Sequence, residues 1–118
     1  MKKMAKRTPA LSQWERQYAH WRAKLGTLGY LSQGSVQDRT ARVGGGAGYQ
    51  WTRKLKGKTV SVALTREQFH AMKKAVQNKR ELLVIVRQLE KLSRQILFQT
   101  HPHRARRKSL SEKVLGLN

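Results

Sequence analysis

The chain has few of the residues from which catalytic and covalent sites are built. It contains no cysteine, which excludes both a disulfide framework and a thiolate metal site. Only 6 of its 118 residues are acidic, and they are dispersed, whereas nucleases and transposases need clustered carboxylates to hold two metal ions. No serine lies in a nucleophile-elbow sequence, and no histidine has an obvious acidic partner. We therefore expect a binding module that is not an enzyme and needs no metal or other cofactor.

Long apolar segments are also missing. The uninterrupted apolar runs are a few residues long, so no transmembrane span is expected. The basic start, residues 1–8, has no apolar segment behind it, unlike a secretory signal. Peptides that bind membrane surfaces place their charge on one face of an apolar helix, whereas here charge covers the whole chain. These patterns predict a cytoplasmic protein without a membrane partner.

What the chain has in excess is positive charge. Lysine and arginine together number 26, and the formal net charge is +20 at pH 7. Mutual repulsion of this size disfavours a compact state unless a polyanion supplies the missing negative charge. The expected partner is therefore nucleic acid.

An N-terminal helix is predicted over residues 9–25. Thr8 followed by Pro9 is typical of an N-cap and a first helical position, and Gly26 closes the helix. Apolar residues that recur at spacings of three and four share one stripe: Leu11, Trp14, Tyr18, Trp21 and Leu25. We interpret this stripe as a packing face, and base stacking on its rings is the alternative.

Glycine and β-branched residues are concentrated in the middle of the chain, where a small three-stranded antiparallel sheet is predicted over residues 35–64. Its first strand is expected from Val36 to Val43. The glycine cluster 44–48 lacks the following lysine and hydroxyl of a phosphate-binding loop. We interpret this cluster as a flexible connection between strands.

Residues 49–64 carry the clearest structural pattern, two alternating runs joined at Lys56-Gly57. A two-residue turn there pairs Leu55 with Lys58 and continues outward along both runs. One face of the hairpin is then mostly apolar, and the other carries short hydroxyls, an amide and an ammonium group. A two-stranded ribbon fits the DNA major groove. The polar face is therefore either a groove-binding surface or the ordinary solvent face of a half-buried sheet.

The side chains assigned to nucleic-acid contact lie on the hairpin, near the first strand and in two basic tails. The first set comprises Gln50, Thr52, Arg53, Lys54, Lys56, Lys58, Thr59, Ser61, Arg39 and Arg42. The tail set comprises Lys2, Lys3, Lys6, Arg7, Arg104, Arg106, Arg107 and Lys108. We expect the tails to neutralise phosphates without reading sequence, and the polar hairpin groups to contact base edges.

A long helical segment is predicted over residues 66–98, with Asn78 as a candidate break. Thr65 and Gln68 form a capping box at its start. Its first part is expected to cover the apolar residues of the sheet, Tyr49, Trp51, Val60 and Val62. Its second half has an apolar stripe at coiled-coil-like spacing, which pairs either with the first helix or with a partner chain. The residues assigned to a homodimer or partner interface are Leu82, Val86, Leu89 and Ile96.

Three segments occur together before the long helix: Gly34-Ser35-Val36, GYQWTR over residues 48–53 and KGKTVSV over residues 56–62. In this combination, over about residues 11–97, the chain resembles a small bacterial domain of unknown function that is associated with transposases and other mobile elements. That family carries a cysteine-rich knuckle before its aromatic strand, where this chain has arginine, valine and glycines. No role of those cysteines carries over. The resemblance implies a mobile-element setting, and hence DNA as the favoured polymer.

The sequence as a whole predicts one α+β domain over residues 9–99, with an N-terminal helix, a three-stranded antiparallel sheet and a long C-terminal helix or helix pair. Basic tails flank it at residues 1–8 and 100–118, and the second tail contains a short helix. The expected function is non-enzymatic binding of double-stranded DNA as an accessory factor of a bacterial mobile element. The alternatives are a structural RNA-binding component of a ribonucleoprotein complex and a helical docking subunit of a larger transposase or effector.

Overall fold

The computed structural model describes residues 8–40, 48–101 and 112–116. Its elements, in chain order, are α1 (Pro9–Leu25), β1 (Ser35–Asp38), β2 (Tyr49–Leu55), β3 (Lys58–Leu64), α2 (Arg66–Thr100) and α3 (Glu112–Leu115). The three strands form one antiparallel sheet in the order β1-β2-β3. The predicted α+β class is confirmed, including the helix before the sheet and the long helix after it.

Helix α1 begins where its sequence signals place it. The Thr8 hydroxyl accepts a hydrogen bond from the Leu11 backbone N–H at 3.1 Å, and Pro9 occupies the first turn, where its missing N–H costs nothing. The helix ends at Leu25, and the Gly26 N–H then donates to the Ala23 carbonyl at 3.2 Å. Both predicted ends of this helix are confirmed.

The hairpin of β2 and β3 has the predicted register. Leu55 pairs with Lys58 next to the turn, and every later pair follows outward along both strands. Lys56 and Gly57 have φ values of +50° and +81°. Two successive positive φ values characterise the tight turn whose twist matches that of the flanking strands. A two-residue turn and strict alternation were therefore enough to predict this register.

The prediction that the first strand, β1, continues through Arg39 and Thr40 was wrong. The rest of that prediction, residues 41–43, and the predicted flexible connection at residues 44–47 lie outside the described residues. The strand ends at Asp38, whose carboxylate accepts hydrogen bonds from the Thr40 backbone N–H at 3.0 Å and from the Thr40 hydroxyl. These two bonds hold the pKa of Asp38 below its ordinary value. A side chain that bonds the backbone two residues later competes with the strand ladder and starts a turn.

Helix α2 begins at the predicted capping box. The Thr65 N–H donates to Gln68 Oε1 at 2.9 Å, and the Gln68 N–H donates to Thr65 Oγ1 at 3.1 Å. The helix is continuous through Asn78, so the candidate break there was wrong. The Asn78 amide is buried and donates to the Tyr30 carbonyl at 3.0 Å. This asparagine therefore connects the helix to the segment before the sheet.

The chain divides into two compact units, to both of which α2 contributes. The sheet unit is Leu28–Leu82, and the helical unit consists of the described parts of Met1–Thr27 and Leu83–Asn118. In the sheet unit, Phe69 and Val76 of α2 are buried, and the Phe69 ring centroid lies 4.6 Å from that of Tyr49. The first part of α2 thus covers the Tyr49 end of the sheet, as predicted.

Helix α2 does not cover the whole apolar face of the sheet, although the sequence had led us to expect that it would. Val62 is 43% exposed, which corrects the prediction that α2 buries it. The Trp51 indole N–H instead donates to the backbone carbonyl of Gln33 at 3.0 Å. The segment before β1 therefore supplies part of the packing that the sequence pattern assigned to the helix.

The helical unit combines α1, the second part of α2 and α3. Leu11, Ile85 and Leu92 form its buried residues, with exposures of 2%, 0% and 4%. Arg94 of α2 donates to the Leu115 carbonyl of α3 at 3.2 Å, so the short C-terminal helix lies against the long one. In the part of the chain that the structure describes, no helix is long and apolar enough to cross a membrane.

Candidate nucleic-acid interface

One face of the sheet is polar and carries no carboxylate. Strand alternation and register place eight described residues on it, and the hydrogen bond of Arg39 to Gln50 adds a ninth. The nine are Ser35, Gln37, Arg39, Gln50, Thr52, Lys54, Thr59, Ser61 and Ala63. We call this set the polar sheet face. Six of its nine side chains are exposed, and Arg39, Gln50 and Thr52 are half-buried. The exposed Asp38 belongs to the opposite side of β1, because successive residues of a strand point to opposite faces.

Two side-chain hydrogen bonds order the centre of the polar sheet face. The hydroxyl oxygens of Ser35 and Thr52 lie 3.1 Å apart across the β1–β2 pair. Arg39 Nη1 donates to Gln50 Oε1 at 3.2 Å. The first bond joins β1 to the central strand β2, and the second joins the residue directly after β1 to β2. The structure therefore brings Arg39, Gln50 and Thr52 together on one surface, as the sequence-based assignment requires.

Three exposed lysines surround the hairpin turn: Lys54, Lys56 and Lys58. Residues 49–64 contain no acidic side chain that could neutralise them. Flexible ammonium groups of this kind act as point charges toward phosphate oxygens. The turn end of the sheet therefore has the composition of a phosphate-binding site.

Not all of the predicted hairpin contacts share the polar face. Arg53 lies on the opposite side with Trp51, and its guanidinium carbon is 5.6 Å from the centroid of the Trp51 ring. Lys58 is paired with Leu55 and also projects to that side at the turn. Arg53 Nε is buried and has no hydrogen-bond partner among the described residues. The arrangement thus separates Arg53 from Gln50 and Thr52.

Sequence reasoning missed two members of the polar sheet face and one residue that shapes its edge. Ser35 and Gln37 join the face because they pair with Thr52 and Gln50, a register that the separate strands do not reveal. Gly34 has a φ of +103°, and a Cβ atom there would lie 2.4 Å from the Thr52 carbonyl oxygen. The signal for Gly34 is the glycine itself, directly before the short strand β1.

Several of the other predicted contact residues lie outside the described residues. These are Arg42 and the eight tail residues Lys2, Lys3, Lys6, Arg7, Arg104, Arg106, Arg107 and Lys108. The described portion of the chain contains no group of three histidine, cysteine or acidic side chains that could hold a metal ion.

The helical unit carries a partly apolar surface at the predicted partner interface. Val86, Leu89 and Ile96 belong to this unit, whereas Leu82 belongs to the sheet unit. Leu89 and Ile96 are half-buried, and Val86 is 36% exposed. A groove of about 480 Å³ is lined by Glu15, Tyr18, Ser93, Ile96 and Leu97. Leu83 and Leu97 are 44% and 52% exposed, so the pairing of α1 with α2 leaves apolar side chains at the surface.

Comparison of the chain with protein-family models, with curated proteins and with solved structures finds no match.

Proposed function

We propose that the protein is a non-enzymatic nucleic-acid-binding protein that inserts the polar sheet face into the major groove of double-stranded DNA. The observation that carries this proposal is a sheet face without carboxylates, next to three exposed lysines, in a chain of net charge +20. Solvent-facing strands ordinarily mix charges of both signs. A face with donors and hydroxyls but no anionic group suits a polyanion.

The dimensions of the sheet also favour binding in the major groove of DNA. The axes of the outer strands of a three-stranded sheet lie about 10 Å apart, and the major groove of B-form DNA is about 12 Å wide. Ser35, Thr52 and Ser61 are short, so the backbone of the sheet can approach base edges closely. The major groove of A-form RNA is too deep and narrow for the same approach.

An accessory role in a bacterial mobile element is the biological setting that we propose. Its support is the resemblance of residues 34–36, 48–53 and 56–62 to a transposase-associated domain. The chemistry of the interface is independent of that setting, because the polar sheet face and its lysines act on any duplex.

Base selection by Gln50 and Thr52 is the first test of this function. A preferred duplex is first selected from a randomised library, and its affinity is compared with that of a random duplex at one salt concentration. The double substitution Gln50→Ala with Thr52→Ala should lower this ratio by about tenfold or more, since each lost base contact carries about 1–3 kcal/mol. Non-specific affinity should change little, because no charge is removed.

The matched control replaces two exposed helical glutamines, Gln13→Ala with Gln77→Ala. The ratio of its affinities for the preferred and the random duplex should equal that of the wild type. An unchanged ratio in the Gln50 and Thr52 variant would contradict base reading by the polar sheet face. Failure of the wild-type protein to bind any duplex would contradict the function itself.

Binding to RNA is a second candidate that one observation favours. Tyr30 is 92% exposed in the segment before β1, and exposed aromatic rings stack on unpaired bases. Competition between a DNA duplex and a single-stranded RNA of equal length decides between the two polymers. Stronger binding of the RNA, lost in Tyr30→Ala, would favour the RNA-binding role over duplex recognition.

The exposed apolar residues of α2 support a further proposal, self-association or docking through the helical unit. Light scattering at high salt and tens of micromolar protein should give twice the mass of one chain if the partner is a second copy. Leu83→Glu with Leu97→Glu should restore the mass of one chain, because a charge at an apolar interface loses its solvation. A wild-type monomer under these conditions would contradict the homodimer and favour docking on a different protein.

A further inference from the structure

Arg39 and Gln50 form a side-chain pair whose geometry restricts what the polar sheet face can recognise. The Arg39 backbone N–H donates to the Gly48 carbonyl at 3.0 Å, which continues the β1–β2 ladder by one residue beyond Asp38. The Arg39 side chain is half-buried, and its Nη1 donates to Gln50 Oε1 at 3.2 Å. Backbone and side chain thus hold the guanidinium at a defined place beside the central strand.

This hydrogen bond fixes the orientation of the Gln50 amide. A guanidinium group has five N–H donors and no acceptor, so the atom of Gln50 that contacts it must be the carbonyl oxygen. The Gln50 amide nitrogen, with its two N–H donors, therefore points away from Arg39. The usual ambiguity between the oxygen and nitrogen of a side-chain amide does not arise here.

The fixed amide changes which base it suits. A free glutamine recognises adenine through one donated and one accepted hydrogen bond, to N7 and from N6–H₂. In this structure Oε1 already accepts from Arg39, and the neighbouring positive charge disfavours a second donor such as adenine N6–H₂. Guanine presents two acceptors, N7 and O6, in the major groove. A surface that offers only hydrogen-bond donors therefore matches the two acceptors of guanine and mismatches adenine, which presents one acceptor and one donor.

We propose, resting on the duplex-binding function above, that the Arg39–Gln50 pair selects guanine over adenine at the base pair it contacts. The surrounding residues are consistent with a donor surface. Ala63, the β3 partner of Gln50, contributes only a methyl group, and Ser35 and Thr52 are hydrogen-bonded to each other. The polar sheet face has no carboxylate that could accept from cytosine N4–H₂.

The test is selection of duplexes from a randomised library, followed by affinities for pairs of duplexes that differ at one position. The wild type should prefer guanine to adenine by about tenfold at one position, as expected for one bidentate contact. Arg39→Met frees Gln50 Oε1 and should shift that position toward adenine. Gln50→Glu keeps a partner for Arg39 but presents only acceptors, so it should lose the guanine preference and favour cytosine.

The matched control is Arg53→Met. Like Arg39, Arg53 is half-buried and has a buried Nε without a hydrogen-bond partner among the described residues, but it lies on the opposite face of the sheet. The substitution Arg53→Met should at most lower the affinity for the duplex, and it should leave the base preference unchanged. Circular dichroism of each variant separates a change in preference from unfolding, and Gln50→Glu provides the test if Arg39→Met does not fold.

The outcomes separate this inference from the function on which it rests. Duplex binding with no guanine preference, or with a preference that neither Arg39→Met nor Gln50→Glu alters, would overturn the inference and leave the proposed function standing. Absence of salt-dependent duplex binding by the wild type, or tighter binding of RNA, would overturn both.

Discussion

Replacement of Gly34 by alanine is expected to destabilise the sheet unit by about 3 kcal/mol or more. Gly34 has a φ of +103°, a region that L side chains rarely adopt, and this strain alone costs about 1–2 kcal/mol. The added Cβ would also lie 2.4 Å from the Thr52 carbonyl oxygen and 2.6 Å from the Trp51 indole nitrogen. Neither atom can yield easily, because Thr52 belongs to the central strand and the indole N–H is bonded to Gln33. Chemical denaturation followed by circular dichroism measures the change.

Gly48 provides a control with almost the same backbone conformation. Its φ is +108°, but a Cβ atom there would meet no atom of the described residues within 4 Å. Gly48→Ala should therefore cost only the backbone strain, about 1–2 kcal/mol. Equal losses of stability in the two variants would show that the close approach of Gly34 to β2 contributes nothing, contrary to this account.

Replacement of the three hairpin lysines by glutamine is expected to weaken duplex binding by about 100-fold or more at 0.1 M salt. Each lysine that neutralises a phosphate contributes about 0.9 to the slope of log K against log salt concentration. Removal of Lys54, Lys56 and Lys58 should therefore reduce the magnitude of that slope by about 2.7. Titrations of one duplex at four or five salt concentrations measure both quantities.

The control removes the same charge from exposed positions of α2, by Lys74→Gln, Arg80→Gln and Arg87→Gln. These side chains belong to the helix and not to the hairpin, so the slope should change much less. If both triple variants lose affinity and slope equally, the net charge alone drives binding. The hairpin would then have no special place in the interface.

The parts of the fold that followed from sequence are those governed by local rules. The turn at Lys56-Gly57 set the register of β2 and β3, since a two-residue turn leaves one way to pair alternating runs. The capping residues Thr8 and Thr65 set the starts of α1 and α2, because their side chains satisfy helix N–H groups within three residues. Each signal and its consequence lie within the same short stretch of chain.

The errors in prediction arose where local patterns competed with contacts from elsewhere in the chain. Alternation alone extended β1 beyond Asp38, but the bonds between Asp38 and Thr40 end the strand. Low helix propensity suggested a break at Asn78, but its bond to Tyr30, 48 residues away in sequence, gives that amide a structural role. Helix propensity depends on the residue and its near neighbours, so it cannot predict a hydrogen-bond partner so distant along the chain.

The candidate interface also has features that the sequence predicts and features that only the tertiary structure decides. Sequence alone determined the kind of partner to expect, through a net charge of +20, and the identity of the polar hairpin residues, through strand alternation. The tertiary structure decided that β1 lies beside β2, and so that Ser35 and Arg39 join Gln50 and Thr52 on one face. It also placed Arg53 on the other face, against Trp51. The physical reason is that net charge is a sum over all residues and alternation is a pattern between near neighbours, so both can be obtained from the sequence. The pairing of β1 with β2 instead depends on contacts between residues 11 to 18 positions apart.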